Sequence, residues 1–151
     1  AALRRRFSFI PLFPDYDLLA QWLDIDKAFD ETEFYAKLAA AQDDKTKNKI
    51  LSVLALEKIN SALTANVSIG REKQIGHTYL FELQEHPDRF KKVWKQEILP
   101  LIEEYYFETP QEIEKMFGKE IFETKGGIKE FNEETLRSAL VEYTKVPEPE
   151  A

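Results

Sequence analysis

The chain has 151 residues, 43% hydrophobic and 13% aromatic, with a net charge of -7. That is one domain's length with enough apolar material for a packed core. It excludes a disordered acidic tail, and the acidic balance excludes a chain that grips nucleic acid over its whole surface. Cysteine is absent, which removes disulfides, thiolate catalysis and cysteine metal sites, and His77 and His86 lie at no helical ligand spacing. No apolar run approaches the length of a membrane span.

Near the start stands a block of positive charge, Arg4-Arg5-Arg6, directly before Phe7-Ser8-Phe9-Ile10. The alternation in that run, followed by Pro11 and Pro14, predicts a short strand ending in a loop. From Asp15 to Leu23 the spacing of Tyr16, Leu19 and Leu23 predicts a short amphipathic helix. Asp30 with Glu33 reads as a capping box opening a helix that carries Phe34, Tyr35 and Leu38. Asp43-Asp44 opens a long helix to about Ala65, whose Ile50, Leu51, Leu54, Ile59 and Leu63 predict one buried stripe.

Gly70 and Gly76 bracket the polar loop Arg71-Glu72-Lys73-Gln74, and a helix is expected from about His77. Pro87 suits the first turn of a further helix through Phe90, Trp94, Ile98 and Tyr105, in which Pro100 should force a kink or a shifted end. Thr109 and Glu112 read as another capping box, Gly118 as the residue that stops that helix, and residues 121–131 as a small hairpin. Asn132 caps a last helix, and 147–151 form a tail. A lone strand ahead of helices leaves its backbone groups unpaired, so the expectation is that its sheet lies in further sequence and that this is the C-terminal part of a longer protein.

Two stretches carry a family resemblance. Leu3-Arg4-Arg5-Arg6-Phe7, and Ile75-Gly76-His77-Thr78-Tyr79 followed by Ile98-Leu99-Pro100-Leu101-Ile102-Glu103-Glu104-Tyr105-Tyr106-Phe107, together resemble the C-terminal portion of the McrB family, the AAA+ GTPases of modified-cytosine restriction systems. The resemblance runs from Leu3 to about Phe107. It implies a mainly α fold: an AAA+ C-terminal helical lid subdomain, preceded by a short strand from the α/β core and followed by a small late hairpin. Residues 1–14 would end the core, 15–146 form the lid and 147–151 the tail.

The resemblance also implies roles. Arg4, Arg5 and Arg6 would contain the arginine that reaches the nucleotide of a neighbouring subunit, with Arg5 and Arg6 preferred because they lie nearest the strand. Arginine suits that task because a planar fork of donors meets charge spread over phosphoryl oxygens. Surface ion pairing is the plainer use of such a block. His77 and Arg71 would sense nucleotide, and Gln74 stands where some relatives carry a basic residue; capping or packing is the other use for His77. The parent protein would use GTP or ATP with Mg2+. Its partners would be neighbouring subunits of a homo-oligomeric ring, such as a hexamer, a McrC-like nuclease subunit, and DNA through the whole complex, in the cytoplasm and away from membranes.

No G-x-x-x-x-G-K-[ST] loop is present, so the segment alone is expected neither to hold nor to hydrolyse nucleotide. Trp94, Tyr105, Tyr106 and Phe107 are expected to pack in the core or against subunits rather than stack bases, because Glu103 and Glu104 adjoin them. The competing reading is a non-enzymatic helical interaction module whose arginine block docks an acidic partner or DNA.

Overall fold

A computed structural model describes residues 13–145. Arg4, Arg5, Arg6, the strand expected at 7–10 and the tail at 147–151 lie outside the described residues. Within them the chain is mainly helical, with one two-stranded antiparallel sheet.

Helix α1 (Tyr16–Trp22) starts where the Asp15 carboxylate accepts from the Leu18 N–H, satisfying a donor that the first turn would otherwise leave open. It ends in a Schellman arrangement: the Ile25 N–H donates to the Ala20 carbonyl and the Asp24 N–H to that of Gln21. Asp24 takes the left-handed position there, with φ of 56°. Helix α2 (Glu31–Ala40) is capped by Asp30 through the Glu33 N–H, as expected. Helix α3 (Asp44–Ala65) is capped by Asp43 through the Thr46 N–H. These two hydrogen bonds to Thr46, from its hydroxyl and its backbone, hold the Asp43 carboxyl below its ordinary pKa.

The expectation of one buried stripe on α3 needs correction. Residues Ile50 through Leu56 are all buried, Ser52 included. Seven consecutive residues sweep about two turns, so this part of α3 is enclosed on every side. Helices α1 and α2 pack against it, together with the later segments and the last helix. The small residue Ser52 meets Trp94 here. Its indole N–H donates to the Ser52 hydroxyl at 3.0 Å, with both residues fully buried.

After α3 the chain turns at Gly70, whose φ of 86° is a conformation that side chains strain to adopt. A 3₁₀ turn (Arg71–Lys73) follows, and then a longer 3₁₀ segment (His77–Leu83) where a helix was expected. Another 3₁₀ turn (Pro87–Arg89) leads into α4 (Phe90–Val93), a π turn (Trp94–Ile98) and α5 (Leu99–Tyr105). The π turn is how the helix meets Pro100. The Leu99 N–H reaches back five residues to the Trp94 carbonyl, and the proline falls in the first turn of α5, where a missing N–H costs little.

Helix α6 (Gln111–Phe117) begins at Pro110 without a side-chain cap, so the expected Thr109 box does not form. The Thr109 carbonyl instead accepts the Glu112 N–H at 3.0 Å. Gly118 stops the helix at φ of 85°. Strands β1 (Phe122–Glu123) and β2 (Gly127–Ile128) make the expected hairpin, pairing Phe122 with Ile128. Helix α7 (Glu133–Thr144), capped by Asn132, returns along α3. Arg137 joins the two: its Nε donates to Asn48 Oδ1 at 2.8 Å, and its Nη2 donates to Glu133 at 2.7 Å.

The buried indole gives a direct test of this core. Ser52→Ala strands the Trp94 N–H and should cost about 1–3 kcal/mol, seen as a lower denaturant midpoint with an unchanged slope.

Candidate functional site

The stretch that contains the signature Ile75–Tyr79, residues 71–84, is built from two 3₁₀ elements. It is placed by side chains from α1 and α3. At its centre Ile75 is fully buried between two 3₁₀ elements. Asn60 on α3, only 1% exposed, serves both of its peptide groups. The Ile75 N–H donates to Asn60 Oδ1 at 2.7 Å, and Asn60 Nδ2 donates to the Ile75 carbonyl at 2.9 Å. The second Nδ2 hydrogen goes to the Tyr16 hydroxyl on α1, also at 2.9 Å. One carboxamide thus joins three parts of the chain. The buried peptide groups would otherwise each lose hydration without a partner.

Sequence reading passed over Asn60. The signal was there: it lies four residues after Leu56 and three before Leu63, on the face of α3 that faces the core. A polar residue on such a face needs partners, and the peptide of Ile75 is one.

His77 opens the longer 3₁₀ segment and is half-buried. Its Nδ1 accepts the backbone N–H of Asp15 at 2.9 Å. Its ring meets Phe81 edge-on, with centroids 5.4 Å apart. Trp22 stacks on the same Phe81 at 4.7 Å and donates its indole N–H to the Phe81 carbonyl at 3.0 Å. Gln84 donates to the Asp24 carboxylate at 2.7 Å and accepts from the Lys49 ammonium at 3.1 Å.

The structure thus places His77 and Gln74 on one continuous stretch with Arg71. Gln74 is half-buried just after the 3₁₀ turn that Arg71 begins. The side chain of Arg71 and all of Arg4, Arg5 and Arg6 lie outside the described residues. Of the aromatic series, Trp94 and Tyr106 are buried in the core as expected, Tyr105 packs partly against it, and Phe107 is exposed rather than in the core. A pocket of about 320 Å³ opens between the end of α1 and the start of α3, edged by Lys37 and Lys49. Both ammonium groups are engaged in the fold, Lys37 with the Ile25 carbonyl and Lys49 with Gln84. Among the described residues no group of three or more His, Cys, Asp or Glu is arranged to hold a metal, and no helix is long and apolar enough to cross a membrane.

Two measurements follow. Asn60→Ala leaves the Ile75 N–H and carbonyl buried and unpaired, and should cost roughly 2–5 kcal/mol in urea unfolding, well above the cost of Tyr16→Phe. The second concerns high pH. Burial, opposed by the Asn60 hydrogen bond and aided by the charge of Glu57, pushes the Tyr16 phenol up to about 12 from an ordinary 10.0. Folding therefore favours its neutral form. That contribution is fully present below pH 10 and is lost as pH rises toward 12. Tyr16→Phe should flatten the fall in stability over this window, which unfolding titrations at stepped pH would show.

Residues 52–114 match a family model, McrB, alpha-helical lid domain. No curated protein matches the chain, and no solved structure does. The matched stretch begins inside the enclosed part of α3, takes in Asn60, Ile75, His77 and the π turn, and ends in α6. It therefore contains both the carboxamide that places the signature segment and the segment itself. Over residues 52–114 the chain is similar to the alpha-helical lid domain of McrB.

Proposed function

We propose that this chain is the nucleotide-sensing and subunit-coupling segment of a McrB-like AAA+ GTPase motor that drives a DNA restriction complex. The observation that carries the proposal is the match to the McrB lid over residues 52–114, which takes in the segment that α1 and α3 hold in place. The nucleotide, GTP or ATP with Mg2+, would be held by the phosphate-binding loop of the parent protein. The stretch containing Arg71, Gln74 and His77 senses it. One arginine of Arg4, Arg5 and Arg6 reaches the phosphates bound to the neighbouring subunit of a homo-oligomeric ring, a hexamer in this reading.

Arginine is apt for that reach. Charge in the transition state spreads over the phosphoryl oxygens, and a guanidinium can donate to two of them at once. Residues 7–14 separate Arg6 from Asp15, whose backbone is bonded to His77. Movement of the sensing stretch would therefore act on the chain nine residues after Arg6. Coupled in this way, hydrolysis at one interface shifts the next subunit, and the ring drives DNA and a McrC-like nuclease partner.

The test uses the full-length parent protein. Arg5→Ala or Arg6→Ala should lower hydrolysis by about a thousandfold or more while nucleotide binding stays near normal. Mixing that variant with one lacking the phosphate-loop lysine should restore part of the activity, since each supplies what the other lacks at one interface. Normal hydrolysis by variants of all three arginines would overturn the reading and favour a module that docks an acidic partner or DNA.

A further inference from the structure

Three hydrogen bonds fasten α1 to residues 77–84 in parallel order. The Asp15 N–H meets His77 Nδ1, the Trp22 indole N–H meets the Phe81 carbonyl, and the Asp24 carboxylate meets the Gln84 amide. They fall at the residue before α1, at its last residue, and just past its end. The second and third hold the C-terminal end of α1. The first holds the backbone at the point where the chain enters α1, next to Tyr16, whose hydroxyl Asn60 holds.

The chemistry of that bond is specific. A ring nitrogen that accepts an N–H carries no proton, so the neutral imidazole has its own hydrogen on Nε2. The edge-on contact with Phe81, on which Trp22 also stacks, fixes the ring's orientation. The acceptor of the Asp15 N–H is therefore a rigid, directed lone pair on an otherwise half-buried ring.

We propose that His77 is a positioning residue that acts through Nδ1 on the backbone of Asp15, fixing the place at which the chain enters α1. The geometry stands on its own, and its consequence for hydrolysis rests on the motor reading above. In this role the histidine links the sensing stretch to the start of α1 without itself needing to touch phosphate.

Side-chain substitution separates the two ring nitrogens. Asparagine places an acceptor where Nδ1 lies, whereas glutamine places its polar atoms near Nε2. Amide exchange at Asp15 in this chain, followed by NMR, reads the bond directly. We expect His77→Asn to keep exchange within about twofold of the parent chain, and His77→Gln and His77→Ala to speed it by roughly tenfold, the effect of losing a hydrogen bond of ordinary strength. In the full-length protein, hydrolysis should follow the same order, with Asn active and Gln and Ala reduced by roughly tenfold or more. Protection retained by Gln and lost by Asn would overturn the proposal in favour of Nε2, as would exchange unchanged in all three. Exchange that follows the expected order while all three variants hydrolyse normally would overturn the positioning role. A parent protein that hydrolyses no nucleotide at all would instead overturn the motor reading and leave the Asp15 bond standing.

Discussion

The double hydrogen bond between the Asn60 carboxamide and the Ile75 peptide is the constraint on which the signature segment depends. Residues 74–76 belong to no helix or strand, yet Ile75 must be buried to close the core beside α3. A peptide group taken from water without a ladder partner has to find a substitute, and a carboxamide supplies the same pair of groups, one donor and one acceptor. Once Ile75 is held, Gly76 and His77 follow at a fixed place, and His77 can reach Asp15. The dependence also runs the other way. Asn60 tolerates burial only because Ile75 and Tyr16 use its hydrogens and its oxygen.

Much of the fold was legible because its signals are local. Asp30, Asp43 and Asn132 each cap a helix from one residue away, and Gly118 stops one by its own backbone freedom. Thr109 failed as a cap for a reason equally local: Pro110, with φ of -61°, already has helical backbone angles and lets the first turn close on carbonyl groups. What stayed hidden depends on distant partners. Ser52 looks like a solvent-facing residue until Trp94, forty-two positions on, supplies a donor. The enclosure of α3 likewise requires helices from both ends of the chain. His77 was legible as a functional candidate, but its partner, sixty-two residues away, was not.

The family match ends at residue 114, whereas the packing does not. The C-terminal carbonyls of α7 are taken by side chains from the first half of the chain: Lys58 donates to the Tyr143 carbonyl and Tyr35 to that of Thr144. Lys58 also lies over the Tyr143 ring, which packs on Phe117. Buried residues of α6, the hairpin and α7 join the same hydrophobic cluster as those of α3. The portion beyond the match therefore shares a core with the lid, and the motions proposed for the lid would carry it along.

The π turn before Pro100 has an evolutionary corollary. It contains one residue more than an α-helical turn needs, and the proline it precedes is the residue for which an ordinary turn has no room. Chain length and composition are thus linked at this point. In a relative that lacks the proline the extra residue has no steric purpose, and a single-codon deletion there would restore regular helix while leaving α5 in phase with the core. Gain of the proline and gain of the residue are best regarded as one change.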